Sequence, residues 1–174
     1  MKKNLFFYLF AVLCTVSLFT SCSDDNNDEP TVTVPSNVDV AGDYEGSLDV
    51  KLVLAGAETP AGNIPSQLVT VVKAGESTVD LKISNFTFSE MELGDIELKG
   101  CQLVDAGNGK YTFTATSSIE VGGMLSGAVT ANGTFLNETL DIDLDIDNIK
   151  VNGNPLPYTV KAVYSGNKLS EVEE

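Results

Sequence analysis

The side chains able to do chemistry are few. The 174 residues include ten lysines but no arginine and no histidine, with 25 aspartates and glutamates and three cysteines. Without an imidazole there is no Ser-His or Cys-His nucleophile pair, no histidine general base and no His-ligated zinc. Without a guanidinium there is no bidentate phosphate clamp. A formal charge of -15 disfavours nucleic acid, whose binding depends on basic grooves. Asp141, Asp143, Asp145 and Asp147 alternate with Ile142, Leu144 and Ile146, so a strand there projects four carboxylates from its outer face. Calcium suits such oxygens, but alternate side chains on a strand stand about 6.6 Å apart and no D-x-D-x-D-G loop is present. A solvated surface is expected, with no metal site and no cofactor. Nothing sets one carboxylic acid in an apolar pocket opposite another, as glycosidase chemistry needs. The chain is expected not to be an enzyme.

The third kind of reactive group is the thiol. Lys2 and Lys3 precede a mostly apolar run from Leu5 to Phe19, which ends in Thr20 and Ser21 before Cys22. At 15 residues the run is shorter than the ~20 of a membrane-spanning helix, and the pattern is that of a secretory signal over residues 1–21. Phe19-Thr20-Ser21-Cys22 resembles the bacterial lipobox. That resemblance implies cleavage before Cys22 and a lipid, palmitate included, on Cys22, hence attachment to a membrane. The following Ser23-Asp24-Asp25-Asn26-Asn27-Asp28-Glu29 resembles the surface-export signal of Bacteroidetes lipoproteins and implies an outer-membrane lipid anchor at the cell surface. By composition the same run is a self-repelling, solvated tether. Cys14 leaves with the signal, so Cys101 has no disulfide partner and is expected to be a buried small hydrophobe.

Residues 22–41, with Pro30 and Pro35 among polar residues, are expected to be a flexible linker. A single domain follows over residues 42–168, and 169–174 form an acidic tail. Within the domain, apolar residues recur at every second position, as in Leu48-Val50-Leu52-Leu54, Val79-Leu81-Ile83, Tyr111-Phe113-Ala115 and Tyr158-Val160-Ala162-Tyr164. Period two marks strands with one buried face. The pattern predicts eight strands, at 43–54, 66–73, 78–88, 94–104, 111–121, 124–131, 134–149 and 156–165. Asn108-Gly109, Asn132-Gly133 and Asn152-Gly153 are expected as hairpin turns, since both central residues of a type I′ turn need positive φ, and Gly122-Gly123 supplies another. A change of parity between Ile146 and Ile149 predicts a bulge near Asp147-Asn148. Eight sequential antiparallel strands close into a small up-and-down barrel that removes its own edges.

Gly42-Asp43-Tyr44-Glu45-Gly46-Ser47-Leu48, Ile83-Ser84-Asn85-Phe86-Thr87-Phe88, Leu93-Gly94-Asp95-Ile96, Leu140-Asp141-Ile142-Asp143-Leu144 and Tyr164-Ser165-Gly166 resemble, in order and spacing, the calycin-like β-barrel lipoproteins of Bacteroidetes. The resemblance covers residues 42–168 and implies an all-β, eight-stranded, lipocalin-like barrel. Gly42-Asp43-Tyr44 is similar to the Gly-x-Trp signature of lipocalins, with Tyr in place of Trp.

In such a barrel alternate connections share an end. The segments Ala55–Pro65 and Ser89–Leu93 are expected as long loops around a loose mouth, with a pinched end opposite where the tether enters. The mouth then faces away from the membrane. Tyr44, Leu52, Leu54, Ile83, Tyr111, Phe113 and Tyr164 are the candidate ligand-binding residues, the tyrosines as polar anchors in an apolar lumen. Two functions follow from the same residues. One is a surface-tethered barrel binding a small hydrophobic or amphipathic ligand in its mouth. The other is a barrel filled by its own side chains that serves adhesion or outer-membrane complex assembly.

Overall fold

A computed structural model describes residues 40–88, 91–121 and 124–170. The signal segment, Cys22, most of the linker, Gly122-Gly123 and residues 171–174 lie outside the described residues. Ten antiparallel strands run in chain order: β1 Gly42–Leu54, β2 Ala57–Lys73, β3 Thr78–Phe88, β4 Met91–Gln102, β5 Val104–Asp105, β6 Tyr111–Val121, β7 Leu125–Leu136, β8 Thr139–Val151, β9 Asn154–Pro155 and β10 Thr159–Lys168. Eight are long. The two extra strands, β5 and β9, have two residues each and are too short to show a periodicity.

The sheet order is β4-β3-β2-β1-β10-β8-β7-β6-β5, with β9 on β8. First and last long strands lie side by side, from Tyr44 opposite Lys168 to Val53 opposite Thr159. The sheet curls until β4 faces β6, where the Ser117 hydroxyl donates to the Glu97 carbonyl at 2.7 Å. The result is a nearly closed barrel. Period-two burial is plain along β7 and β8, and Asp141, Asp143 and Asp147 face solvent while Ile142, Leu144 and Ile146 are buried. The bulge anticipated in β8 is present. The register with β7 slips between Ser126 and Ala128, opposite Asn148, whose φ is 52°.

Ser89–Leu93 is no long loop, since β3 reaches Phe88 and β4 begins at Met91; two further expectations are corrected. Asn132-Gly133 is not a turn but the middle of β7, paired with Thr114 and Phe113 of β6. The turn is at Asn137-Glu138, where φ is 48° and 64°. The apolar alternation Val129-Ala131-Gly133-Phe135 runs straight through the Asn-Gly pair, and burial of that face outweighs the local turn preference. Glycine is needed at 133 because the Phe113 ring covers it: a Cβ there would lie within 3.0 Å of ring atoms Cδ1, Cε1 and Cζ.

The second correction is Ala55–Pro65. Only Ala55 and Gly56, with φ of 50° and 83°, form a turn; the rest is strand β2. Pro60 and Pro65 hid it, since proline weakens any strand assignment. β1 nevertheless supplies partners, and register slips between Gly46 and Leu48 and between Val50 and Lys51 absorb the prolines. On its other side β2 pairs β3 only from Val69 to Lys73, so residues 57–66 lie on an edge that needs no proline N–H. Asn108-Gly109 and Asn152-Gly153 do turn as expected, each with two positive φ values.

A continuous apolar cluster occupies the barrel interior. Tyr44, Tyr164, Phe86, Leu81, Ile83 and Leu98 are among the fully buried side chains. At the narrow end Phe135 packs between Tyr44 and Phe113, with ring centroids 5.9 and 5.6 Å away. There the Lys168 N–H donates to the Glu138 carbonyl at 2.8 Å, tying the end of β10 to the β7–β8 turn. Apart from the tyrosines, Gln67 is the one buried polar side chain among the described residues. Its Nε2 donates to the Ser84 carbonyl at 2.6 Å, where the β2–β3 ladder ends and a backbone acceptor would otherwise lack a partner.

Candidate binding site at the open rim

The anticipated ligand-binding residues do not form one site. Tyr44, Phe113 and Tyr164 are buried at or near the narrow end, and Tyr111 is half-buried beside them, opposite Phe135. Ile83 is wholly buried in the wall. Leu52 is half-buried toward the other end, packed on the core. Leu54 is 53% exposed at the tip of the β1–β2 hairpin: it keeps the inward parity of Leu48 and Val50 but stands beyond the rim.

The tyrosines differ as polar groups. The Tyr44 hydroxyl donates to the Val40 carbonyl at 2.9 Å. Burial, reinforced by the Glu138 carboxylate, pushes its pKa up to about 12. The Tyr164 hydroxyl is buried without a hydrogen-bond partner and packs against Gly166. Burial, then the charge of Glu45 and the neighbouring Tyr44, raises its pKa as well. The Cys101 thiol, 1% exposed, is pushed up to about 11, mainly by burial and secondarily by Asp80. Thiolate chemistry needs the opposite shift. Among the described residues no group of three or more Asp, Glu, Cys or His side chains could hold a metal ion.

Open space lies at the rim, the end holding the Ala55-Gly56 turn. A cleft of about 630 Å³ is bounded by Val53 and Gly56 of the β1–β2 hairpin, by Asp147 to Lys150 at the β8 bulge, and by Pro155 to Thr159. Local structure explains each wall. Positive φ at Asn152 and Gly153 turns the chain back on itself, so that β9 pairs Lys150 and Val151 and the Leu156 N–H donates to the Ile149 carbonyl at 2.8 Å. Pro155 and Pro157 then hold the segment extended. Leu156 and Tyr158 pack partly buried against the core. The bulge turns Ile149 inward, 5% exposed, and leaves Lys150 exposed. Polar and apolar surface line the cleft in about equal measure, which suits an amphipathic small molecule. The mouth is thus at the end read from the sequence, though the β8–β10 connection builds it rather than a loop after β1. Ile149, Leu156 and Tyr158 were the residues missed. Two prolines bracketing an apolar residue ahead of a strand, beside a change of parity, were the available signal.

An up-and-down antiparallel barrel, plugged by aromatic rings at one end and cleft at the other, has the architecture of the calycins. The calycin-like beta-barrel domain family matches residues 40–167, and the chain belongs to that family. A crystal structure at 2.40 Å of a Bacteroides fragilis protein, described as a "putative outer membrane protein", is similar with a TM-score of 0.53. The two are 20% identical; the match covers 78% of this chain and 53% of that one, so this chain spans about half the length of that structure. At that identity the likeness is one of fold. No curated protein matches the chain.

Proposed function

We propose that the protein is a lipid-anchored, non-enzymatic binding barrel of the outer membrane that takes a small hydrophobic or amphipathic molecule into the rim cleft. The cleft carries this reading: about 630 Å³ of open space at the rim, with the partly buried Leu156 and Tyr158 among its walls. An apolar guest there removes side chains from water at about 25 cal/mol per Å², and Lys150 stands where a polar head would emerge. The lipobox-like Phe19-Thr20-Ser21-Cys22 and the description of the Bacteroides fragilis neighbour support an outer-membrane address. A tether joining β1 at the plugged end turns the rim outward.

The test is a titration of Nile red against protein expressed from Ser23, which carries neither signal nor lipid. Saturable fluorescence enhancement is expected, weakened about tenfold, or 1.4 kcal/mol, by Leu156→Asp. No saturation, or no effect of the rim substitution, refutes the proposal. The continuous apolar cluster inside the barrel favours a second reading, in which a solid barrel is an adhesion or complex-assembly module. A stoichiometric partner recovered from outer membranes, with no binding of the dye, would favour it.

A further inference from the structure

Three asparagines precede a glycine: Asn108-Gly109, Asn132-Gly133 and Asn152-Gly153. Such a pair can modify itself. The glycine nitrogen attacks the asparagine Cγ; the N–Cγ bond forms as the Cγ–Nδ2 bond breaks, and ammonia leaves with the glycine N–H proton. Water then opens the succinimide ring at one carbonyl or the other, giving aspartate or isoaspartate. Glycine favours the attack because no side chain crowds the approach to its backbone. Five asparagines among the described residues have positive φ, Asn85, Asn108, Asn137, Asn148 and Asn152. Only Asn108 and Asn152 of these precede glycine; Phe86, Glu138 and Ile149 follow the others.

The fold separates the three pairs. Asn108, Asn132 and Asn152 are all exposed, so access of water does not distinguish them. Attack requires the carboxamide to swing over the next backbone nitrogen, and the chain around that nitrogen has to yield. Asn132 is laddered to Thr114 on one side and Asp143 on the other. Its Oδ1 accepts from the Thr114 hydroxyl at 2.9 Å, and the Phe113 ring lies against Gly133. That pair can react only when β7 opens. Gly109 and Gly153 sit instead in turns, with φ of 72° and 78°, and a Cβ on either would meet open space.

The two reactive turns differ in what they hold. Asn108-Gly109 joins β5 to β6. Asn152-Gly153 folds the chain back so that β9 pairs Lys150 and Val151 and the Leu156 N–H reaches the Ile149 carbonyl, and Pro155 to Tyr158, one wall of the rim cleft, follow directly. We propose that Asn152 is a self-modification site whose conversion to isoaspartate, with the Gly153 nitrogen as nucleophile and water as co-reactant, dismantles that wall. Isoaspartate carries the chain through its side-chain carbonyl, so the main chain gains a methylene and a carboxylate is left on the turn. A two-residue turn of type I′ geometry has no slack for the added atom. The Val151–Asn154 pair and the bond from Leu156 to Ile149 lose their register together. The site depends on the wall of the cleft and not on any ligand in it.

The test incubates folded protein expressed from Ser23 at mildly alkaline pH and follows its peptides by mass spectrometry, with the aspartate and isoaspartate forms separated. Isoaspartate is expected at Asn152 and Asn108, while Asn132 converts at least about a hundredfold more slowly, the ratio being set by how seldom β7 opens. In urea that unfolds the chain, the three pairs should convert at similar rates. Amide exchange then compares the isolated Asn152-isoaspartate form with the parent: exchange at Asn154 and Leu156 should quicken about tenfold or more. Asn152→Asp, which adds the charge without the methylene and keeps a pair suited to the turn, should leave exchange unchanged. Equal rates at Asn152 and Asn132 in the folded protein would overturn the proposal. So would an isoaspartate form whose Leu156 amide is as protected as the parent's, or an equal loss of protection in Asn152→Asp, which would assign the effect to charge alone.

Discussion

Replacing Gly133 by alanine reverses a familiar sign. Where the backbone permits it, Gly→Ala stabilises by about 0.4–1 kcal/mol, because the unfolded chain has less freedom to lose. Here three Phe113 ring atoms stand within 3.0 Å of the new methyl group, and Phe113 is 3% exposed, so the ring has no free space to enter. It must leave a staggered rotamer and weaken its packing on Phe135, now at 5.6 Å. Overpacking of this kind costs about 1–3 kcal/mol, and the aromatic contact about 0.5–1.5 kcal/mol. After the entropic gain, Gly133→Ala should destabilise by about 1–3 kcal/mol. Urea unfolding followed by circular dichroism reads this as a lower midpoint with unchanged slope. In a Phe113→Leu background the same substitution should cost less than about 0.5 kcal/mol, because the clash is gone and the two sites couple. A Gly133→Ala protein as stable as the parent would show that the ring does not lie on residue 133.

The two buried tyrosines should respond differently to losing a hydroxyl. Tyr44→Phe removes the bond to the Val40 carbonyl and should cost about 0.5–1.5 kcal/mol, whereas Tyr164→Phe deletes an unpartnered buried hydroxyl and should be neutral or stabilising by urea titration. Both phenols have folded pKa values above the ordinary 10.0. The folded state therefore keeps protons that the unfolded state releases, and stability should fall as pH rises from about 10 toward 12, less steeply in the Tyr44→Phe, Tyr164→Phe double variant. Cys101, buried and raised to about 11, should resist iodoacetamide at pH 8 in the native protein and react once urea unfolds it; fast native labelling would contradict its placement. In cells fed labelled palmitate, label should appear on the full chain and be lost in Cys22→Ser, and a labelled Cys22→Ser protein would reject the lipidation reading.

Legibility in the sequence followed the physics of each signal. Strands 78–88 and 111–121 were bounded as observed because apolar residues alternate along them, Val79-Leu81-Ile83 in the first and Tyr111-Phe113-Ala115 in the second, and the β8 bulge was readable because a bulge must shift the parity of buried residues. β2 was half hidden: its outer half is held by β1 alone, a long-range pairing that leaves no local pattern, and its prolines mimic a loop. Asn132-Gly133 misled for the opposite reason, since a strong local motif yielded to the continuous buried face of β7. The rim cleft was legible only as a location. Its walls come from a β8–β10 connection whose shape depends on the Asn152-Gly153 turn and on pairing with β8, neither of which leaves a period. How closely β4 meets β6 depends on how far the sheet curls, which no segment records.

The account places the guest at the rim and denies it the barrel's interior. Amide and methyl chemical shifts on addition of Nile red test this directly: Ile149, Val151, Leu156 and Tyr158 should move saturably with the dye, while Ile83, Phe113 and Phe135 stay fixed. Shifts centred on those interior residues, or none anywhere, would contradict it.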